Sequence, residues 1–198
     1  MKIIITGGAG FIGKHLVEFL IKKENDITIF DNFSNSTYES TKYFENLGVK
    51  IIKGDIRRLE DINKAVKGNE VVIHLAAKIS VDESIKNPSE TFQTNVEGTK
   101  NVLIASKKNK IKKIIASSSA AVYGESEVDV KLTEKSKIKP ISAYGESKVR
   151  MENEIKKNSE NQKTEYVILR FFNIFGKNQS PEYAGVITKF IKKIEINK

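Results

Sequence analysis

The sequence predicts an α/β protein: a doubly wound parallel sheet with helices on both faces. Two observations carry that reading. Short apolar runs rich in β-branched residues alternate along the chain with stretches of helical spacing. A glycine cluster also joins the first such run directly to the first helical stretch.

The elements follow in order. Residues 2–6 form the first strand, because Ile3, Ile4 and Ile5 make it apolar on both sides, as a buried parallel strand requires. Residues 10–23 carry Phe11, Ile12, Leu16, Phe19 and Leu20 at helical spacing. A second strand is expected at 26–31, a helix at 37–47, a third strand at 49–53, a short helix at 59–67 and a fourth strand at 70–76. Pro88 suits the first turn of a long helix running to about Lys108. A fifth strand at 112–118 leads into a long loop up to Ser142. A helix at 143–158, a sixth strand at 165–171 and a last helix at about 184–194 complete the pattern.

Composition narrows the function classes. The 198 residues suffice for one domain with a sizeable core. The absence of Cys excludes disulfides, thiolate metal sites and Cys nucleophiles, and two His are too few for a His-rich metal centre. No metal site is therefore expected. No apolar run approaches the ~20 residues that cross a bilayer. The glycine-rich start does not read as a signal peptide, so the expectation is a cytoplasmic protein without a membrane role. The net charge of +9 comes from Lys spread along the chain, with Arg only at 57, 58, 150 and 170. Nucleic-acid readers cluster their basic residues, so no nucleic-acid partner is expected.

The glycine turn, Thr6-Gly-Gly-Ala-Gly-Phe-Ile-Gly13, fits G-x-G-x-x-G at Gly8, Gly10 and Gly13, and G-x-x-G-x-x-G at Gly7, Gly10 and Gly13. Between a strand and a helix this is a dinucleotide-binding turn of the Rossmann type. The glycines permit a tight turn and close backbone approach, and the helix N-terminus faces the pyrophosphate. Asp31 ends the second strand, where an acid accepts the adenosine ribose hydroxyls and repels a 2′-phosphate. Asn32 follows it, where an Arg would favour NADP. NAD is therefore the expected cofactor.

Tyr144 and Lys148 lie at i and i+4 on one helix face. A neighbouring ammonium is expected to lower the phenol pKa and make Tyr144 a general base. Ser117, Ser118 and Ser119 end the fifth strand, where ligands bind in open α/β sheets. His74, within the fourth strand, reads as a packed histidine rather than a catalyst.

Taken together, TGGAGFIG (6–13), Asp31-Asn32, Gly54-Asp55-Ile56, His74-Leu-Ala-Ala77, Asn95, SSSAAVYG (117–124), YGESK (144–148) and LRFFNIFG (169–176) resemble the extended short-chain dehydrogenase/reductase family, the NAD-dependent sugar epimerases and dehydratases. The resemblance covers nearly the whole chain. It implies Ser119, Tyr144 and Lys148 as the catalytic set. It implies cofactor contacts at Gly7, Gly10, Phe11, Ile12, Gly13, Asp31, Asn32, Asp55, Ile56, Leu75, Ala76, Ala77, Asn95, Tyr144, Lys148 and Phe172. It implies substrate contacts at Ser119, Tyr144 and Asn173, the last to a sugar-nucleotide phosphate. Dehydratase relatives carry acids directly after the serine or threonine; Ala120 and Ala121 stand there, so the pattern is similar to UDP-glucose 4-epimerases. The implied chemistry is proton abstraction by Tyr144 with reversible hydride transfer at sugar C4 of a UDP-sugar.

The same resemblance implies a further C-terminal substrate segment. The expected division is a cofactor domain at 1–176 carrying the catalytic residues, with 177–198 only beginning that segment, the substrate subdomain being largely absent. Two classes of reading stay open here: an epimerase of UDP-glucose or another UDP-sugar, and a catalytically idle NAD-binding protein acting as sensor or assembly partner. A homodimer through the helices near 88–108 and 143–158 is also implied; Phe92, Val96, Leu103, Met151 and Ile155 suit its seam, and core packing explains them equally well.

Overall fold

The computed structural model describes residues 1–125, 131–160, 164–179, 190 and 193–194. Six strands, β1 (Lys2–Thr6), β2 (Asp26–Asp31), β3 (Lys50–Lys53), β4 (Val71–His74), β5 (Lys113–Ser119) and β6 (Glu165–Phe171), form one parallel sheet. Their order is β3-β2-β1-β4-β5-β6. The order reverses between β1 and β4, so their carboxyl ends open a crevice, which is where ligands bind in such sheets.

The triple isoleucine of β1 divides by strand period between the two faces. Ile4 joins Phe30, Ile62, Val72, Val102, Ile114, Met151 and Ile155 on one side. Ile3 and Ile5 join Val17, Ile27, Ile29, Phe44 and Ile73 on the other. The first side is covered by α3 (Leu59–Val66), α6 (Gly98–Lys108) and α7 (Ala143–Glu160), the second by α1 (Phe11–Ile21) and the short α2 (Lys42–Glu45). Of the expected dimer seam, Val96, Leu103, Met151 and Ile155 are buried within the chain's own core. For these four, core packing is therefore the reading that holds.

Three elements differ from expectation. The helix at 37–47 shrinks to a 3-10 turn, Glu39–Thr41, followed by the single turn of α2. An additional helix, α4 (Val81–Lys86), forms where the Ser80 side chain accepts the Glu83 N–H. The long helix from Pro88 is interrupted: α5 (Pro88–Phe92) passes through a π turn, Gln93–Glu97, into α6. The last expected helix, 184–194, falls mostly outside the described residues, as does most of the 177–198 segment. No helix among the described residues is long and apolar enough to cross a membrane.

Candidate active site

A cleft of about 370 Å³ runs across the carboxyl ends of the strands. Its lining includes Gly7, Gly10, Phe11, Ile12, Gly13, Asp31, Asn32, Asp55, Ile56, Leu75, Ala76 and Ala77 at one end. Ser119, Tyr144, Lys148 and Phe172 line it as well. Two expected residues are not part of the lining. Asn173 is exposed. Asn95 is buried, and its amide is used within the protein: it accepts the Lys78 N–H at 2.8 Å and donates to the Lys78 carbonyl at 2.9 Å and to Ser147 Oγ at 2.9 Å. A side chain so occupied holds the cleft wall, tying the Lys78 backbone to α7 through Ser147.

The glycine turn is closed by backbone contacts that only glycine allows. Gly7 has φ +71°, and a Cβ there would lie 2.6 Å from the Ala76 nitrogen. A Cβ on Gly13 would lie 2.6 Å from the Gly8 Cα and carbonyl oxygen, where the first turn of α1 meets β1. Gly10, by contrast, has only the Gly7 oxygen near its missing Cβ, at 3.2 Å, and the cleft beside it. Asp31 accepts the Ala9 N–H at 3.0 Å and the Phe33 N–H at 2.8 Å, so the carboxylate ties the turn to the end of β2. Burial pushes its pKa up, against the pull of the Phe33 and Ala9 N–H groups. Beside it, burial of Asp55 is outweighed by hydrogen bonds from Arg57 and Asn32, which hold its carboxyl below the usual range.

The catalytic set occupies the far end. Ser119 caps the 3-10 turn Ala120–Val122 by accepting the Ala121 N–H at 3.1 Å. Lys148 is 3% exposed, and its ammonium donates to the Ser117 carbonyl at 2.9 Å. Burial pushes Lys148 down to about 8. The Lys148 Nζ is 6.0 Å from the Tyr144 ring centroid. The expected lowering of the phenol by that cation does not appear: burial raises Tyr144, and the Ser119 hydroxyl opposes it. Lys148 instead gives its hydrogen bond to β5.

His74 is packed between two threonines, with Nδ1 2.7 Å from Thr6 Oγ1 and Nε2 2.9 Å from Thr99 Oγ1. Thr99 already donates to the Asn95 carbonyl, so it accepts from Nε2–H, and Nδ1 accepts from Thr6. Burial pushes His74 down to about 3 from 6.5. Above pH 6.5 the imidazole is neutral folded or unfolded; below it, the unfolded chain gains a proton that the fold refuses. Stability is therefore expected to fall between pH 6.5 and about 3, by roughly 3 kcal/mol at pH 4 from this group. Urea unfolding of the wild type and of His74→Gln at pH 7 and pH 4 checks this: the variant should lose markedly less stability on acidification.

Sequence reasoning missed several residues. Arg57, Lys78, Glu90 and Thr94 also line the cleft. The Thr94 hydroxyl oxygen is buried without a hydrogen-bond partner among the described residues. An unpaired hydroxyl in a cleft lining is available to a bound molecule. Together with the acceptor at Asp31 and the open backbone at Gly10, it suits a dinucleotide. Ser118, Glu152, Arg170 and Tyr123 form a further polar cluster behind the cleft.

The model of the family described as the NAD dependent epimerase/dehydratase family matches residues 3–198. A Methanocaldococcus jannaschii relative is 41% identical over 196 residues, 97% of this chain and 62% of its own length. The UDP-N-acetylglucosamine 4-epimerase of Methanobrevibacter ruminantium, solved with UDP-N-acetylmuramic acid, superposes with TM-score 0.89 at 40% identity, covering 100% of this chain and 63% of that one. The UDP-glucose 4-epimerase of Thermus thermophilus, solved with NAD, gives TM-score 0.86 at 30% identity over 91% of this chain and 58% of that one. The chain thus spans less than two thirds of the length of these relatives. It belongs to the NAD dependent epimerase/dehydratase family.

Proposed function

We propose that the chain forms the cofactor-binding and catalytic part of a nucleotide-sugar 4-epimerase acting on a UDP-sugar. The carrying observation is that Ser119, Tyr144 and Lys148 line the same cleft as Asp31 and the glycine turn. Similarity to solved 4-epimerases of UDP-sugars supports the substrate class.

In this reading, the Tyr144 phenolate takes the proton from the sugar 4-hydroxyl and, as the phenol so formed, returns it when the hydride comes back to C4. Ser119 Oγ is held by the Ala121 N–H and lines the same cleft as Tyr144, so it can hydrogen-bond the same reacting oxygen. Lys148 supplies a positive charge fixed at the Ser117 carbonyl. When bound, NAD supplies a hydride acceptor at C4 that returns the hydride. Phe172 gives the cleft an apolar wall at this end. Asn173, one residue on and exposed, is the residue assigned to a sugar-nucleotide phosphate in this reading. Ala120 and Ala121 bring no side chain that could remove a proton for elimination, which favours inversion at C4 over loss of water.

The test is a titration of the full chain with NAD and then with UDP-glucose, UDP-galactose or UDP-N-acetylglucosamine. A rise in the reduced-nicotinamide absorbance that depends on the sugar is the expected result. NAD binding with no response to any of the three would instead support an idle NAD-binding protein.

A further inference from the structure

Glu152 lies one helical turn beyond Lys148 on α7 and is 1% exposed. Its carboxylate is fully engaged. Ser118 Oγ donates to Oε1 at 2.6 Å, and the Arg170 guanidinium clamps both oxygens, Nε to Oε1 at 2.9 Å and Nη2 to Oε2 at 2.7 Å. Lys156 approaches Oε2 at 3.7 Å. The third arm of Arg170 donates to the Tyr123 hydroxyl at 3.0 Å and to the Glu134 carbonyl at 3.3 Å. One carboxylate thus joins the end of β5, the catalytic turn of α7, the end of β6 and the loop after β5.

A buried ion pair is weak evidence for stability, because desolvation offsets much of the attraction. Its place needs another reason, and the neighbouring Lys148 provides one. Lys148 is buried with a carbonyl and a thioether for company, Ser117 O at 2.9 Å and Met151 Sδ at 3.9 Å. The titratable groups around it are His74 from β4, Tyr144 and Glu152 from its own helix, and Arg170 from β6 beyond Glu152. His74 is neutral at pH 7 and Tyr144 is raised by burial, which leaves Glu152 as the anion in this set.

We propose that Glu152 is a positioning residue for the reaction: locked between Ser118 and Arg170, it keeps the end of β5 against the Tyr144–Lys148 turn and holds the buried Lys148 charged. Lys148 feels the Glu152 carboxylate as the contribution opposing its burial. Arg170 keeps that carboxylate ionised, since its hydrogen bonds outweigh the burial of Glu152. The inference rests on the reading of Ser119, Tyr144 and Lys148 as the reacting set.

The experiment is an NMR pH titration of Lys148 in the full chain carrying ¹³C-labelled lysine, the signal being assigned by its loss in Lys148→Met. The wild-type midpoint should lie near 8. Glu152→Gln keeps the shape and the acceptor for Ser118 but removes the charge, and should lower the midpoint by about one pH unit. Glu152→Asp should restore most of the difference. Because Glu152→Gln strands the Arg170 cation, which itself repels the Lys148 ammonium, Glu152→Gln with Arg170→Gln is measured alongside as a neutral pair, with a smaller fall in the same direction expected. A midpoint within about 0.2 pH units of wild type in a folded variant overturns the proposal, and so does failure of both variants to fold, which would make the pair a matter of folding alone. The titration needs no turnover. An inactive wild type therefore counts against the proposed function without touching this result, and an unmoved midpoint counts against Glu152 without touching that function.

Discussion

Replacing Tyr144 with Phe is expected to lower UDP-sugar turnover about a thousandfold while leaving NAD affinity within about threefold of wild type. General acid–base groups contribute about 10²–10⁴ to a rate, and the substitution removes the hydroxyl assigned to exchange a proton with the sugar. The ring itself stays in place. It is held by backbone contacts that Phe keeps: the Tyr144 N–H donates to Ser84 Oγ at 3.1 Å, and its carbonyl accepts from Ser147 Oγ at 2.7 Å. The cofactor end of the cleft is untouched, because the glycine turn and Asp31 are fixed by β1, β2 and α1. The check is a coupled epimerase assay beside calorimetric titration with NAD. Burial sets the direction of the pH dependence. It holds the phenol above its ordinary value, so wild-type turnover should rise as pH increases through neutrality. A Phe variant that kept its turnover would remove Tyr144 from the mechanism.

The second large effect is expected at Asp31. Changing it to Asn should weaken NAD binding about 10–100-fold, because hydrogen bonds to a charged acceptor contribute about 1.5–3 kcal/mol. The carboxylate has two uses, and both are lost in part: it accepts the Ala9 N–H that shapes the glycine turn, and it faces the cleft. NADP should lose far less, since the repulsion between the carboxylate and a 2′-phosphate disappears with the charge. Parallel calorimetric titrations with NAD and NADP check this; equal losses for the two would mean that Asp31 acts through the turn alone. Burial also raises the Asp31 pKa above 3.8, so acidification should weaken NAD binding at a higher pH than an ordinary aspartate would allow.

The strands and the cleft floor were legible because local pattern sets them. The isoleucines of β1 and the glycines after them encode both a buried strand and a turn that a Cβ would block. Even α4 left a local sign, since Ser80 followed by Glu83 is a capping pattern before a short helix. The π turn at Gln93–Glu97 was not legible. It lies where Asn95 is drawn onto the Lys78 backbone and Ser147, partners that only the fold brings near. The same holds for Glu152 and Arg170. Each reads as an ordinary surface charge on a helix or an edge strand, and only the sheet register puts Arg170 beside Ser118 and the carboxylate next to both. The expected effect of Lys148 on Tyr144 failed for a related reason. Spacing placed the two on one helix face, but the lysine has a carbonyl of β5 to bind and takes it.

The central claim is that one cleft joins NAD binding to reversible oxidation at sugar C4. The most direct measurement is to incubate the full chain and NAD with UDP-glucose deuterated at C4 and to follow the sugar by NMR. Formation of UDP-galactose with the deuterium still on C4 is the predicted result, because the hydride leaves and returns to the same carbon without exchange. Loss of the deuterium to water, or tight NAD binding with no change at C4, would contradict it.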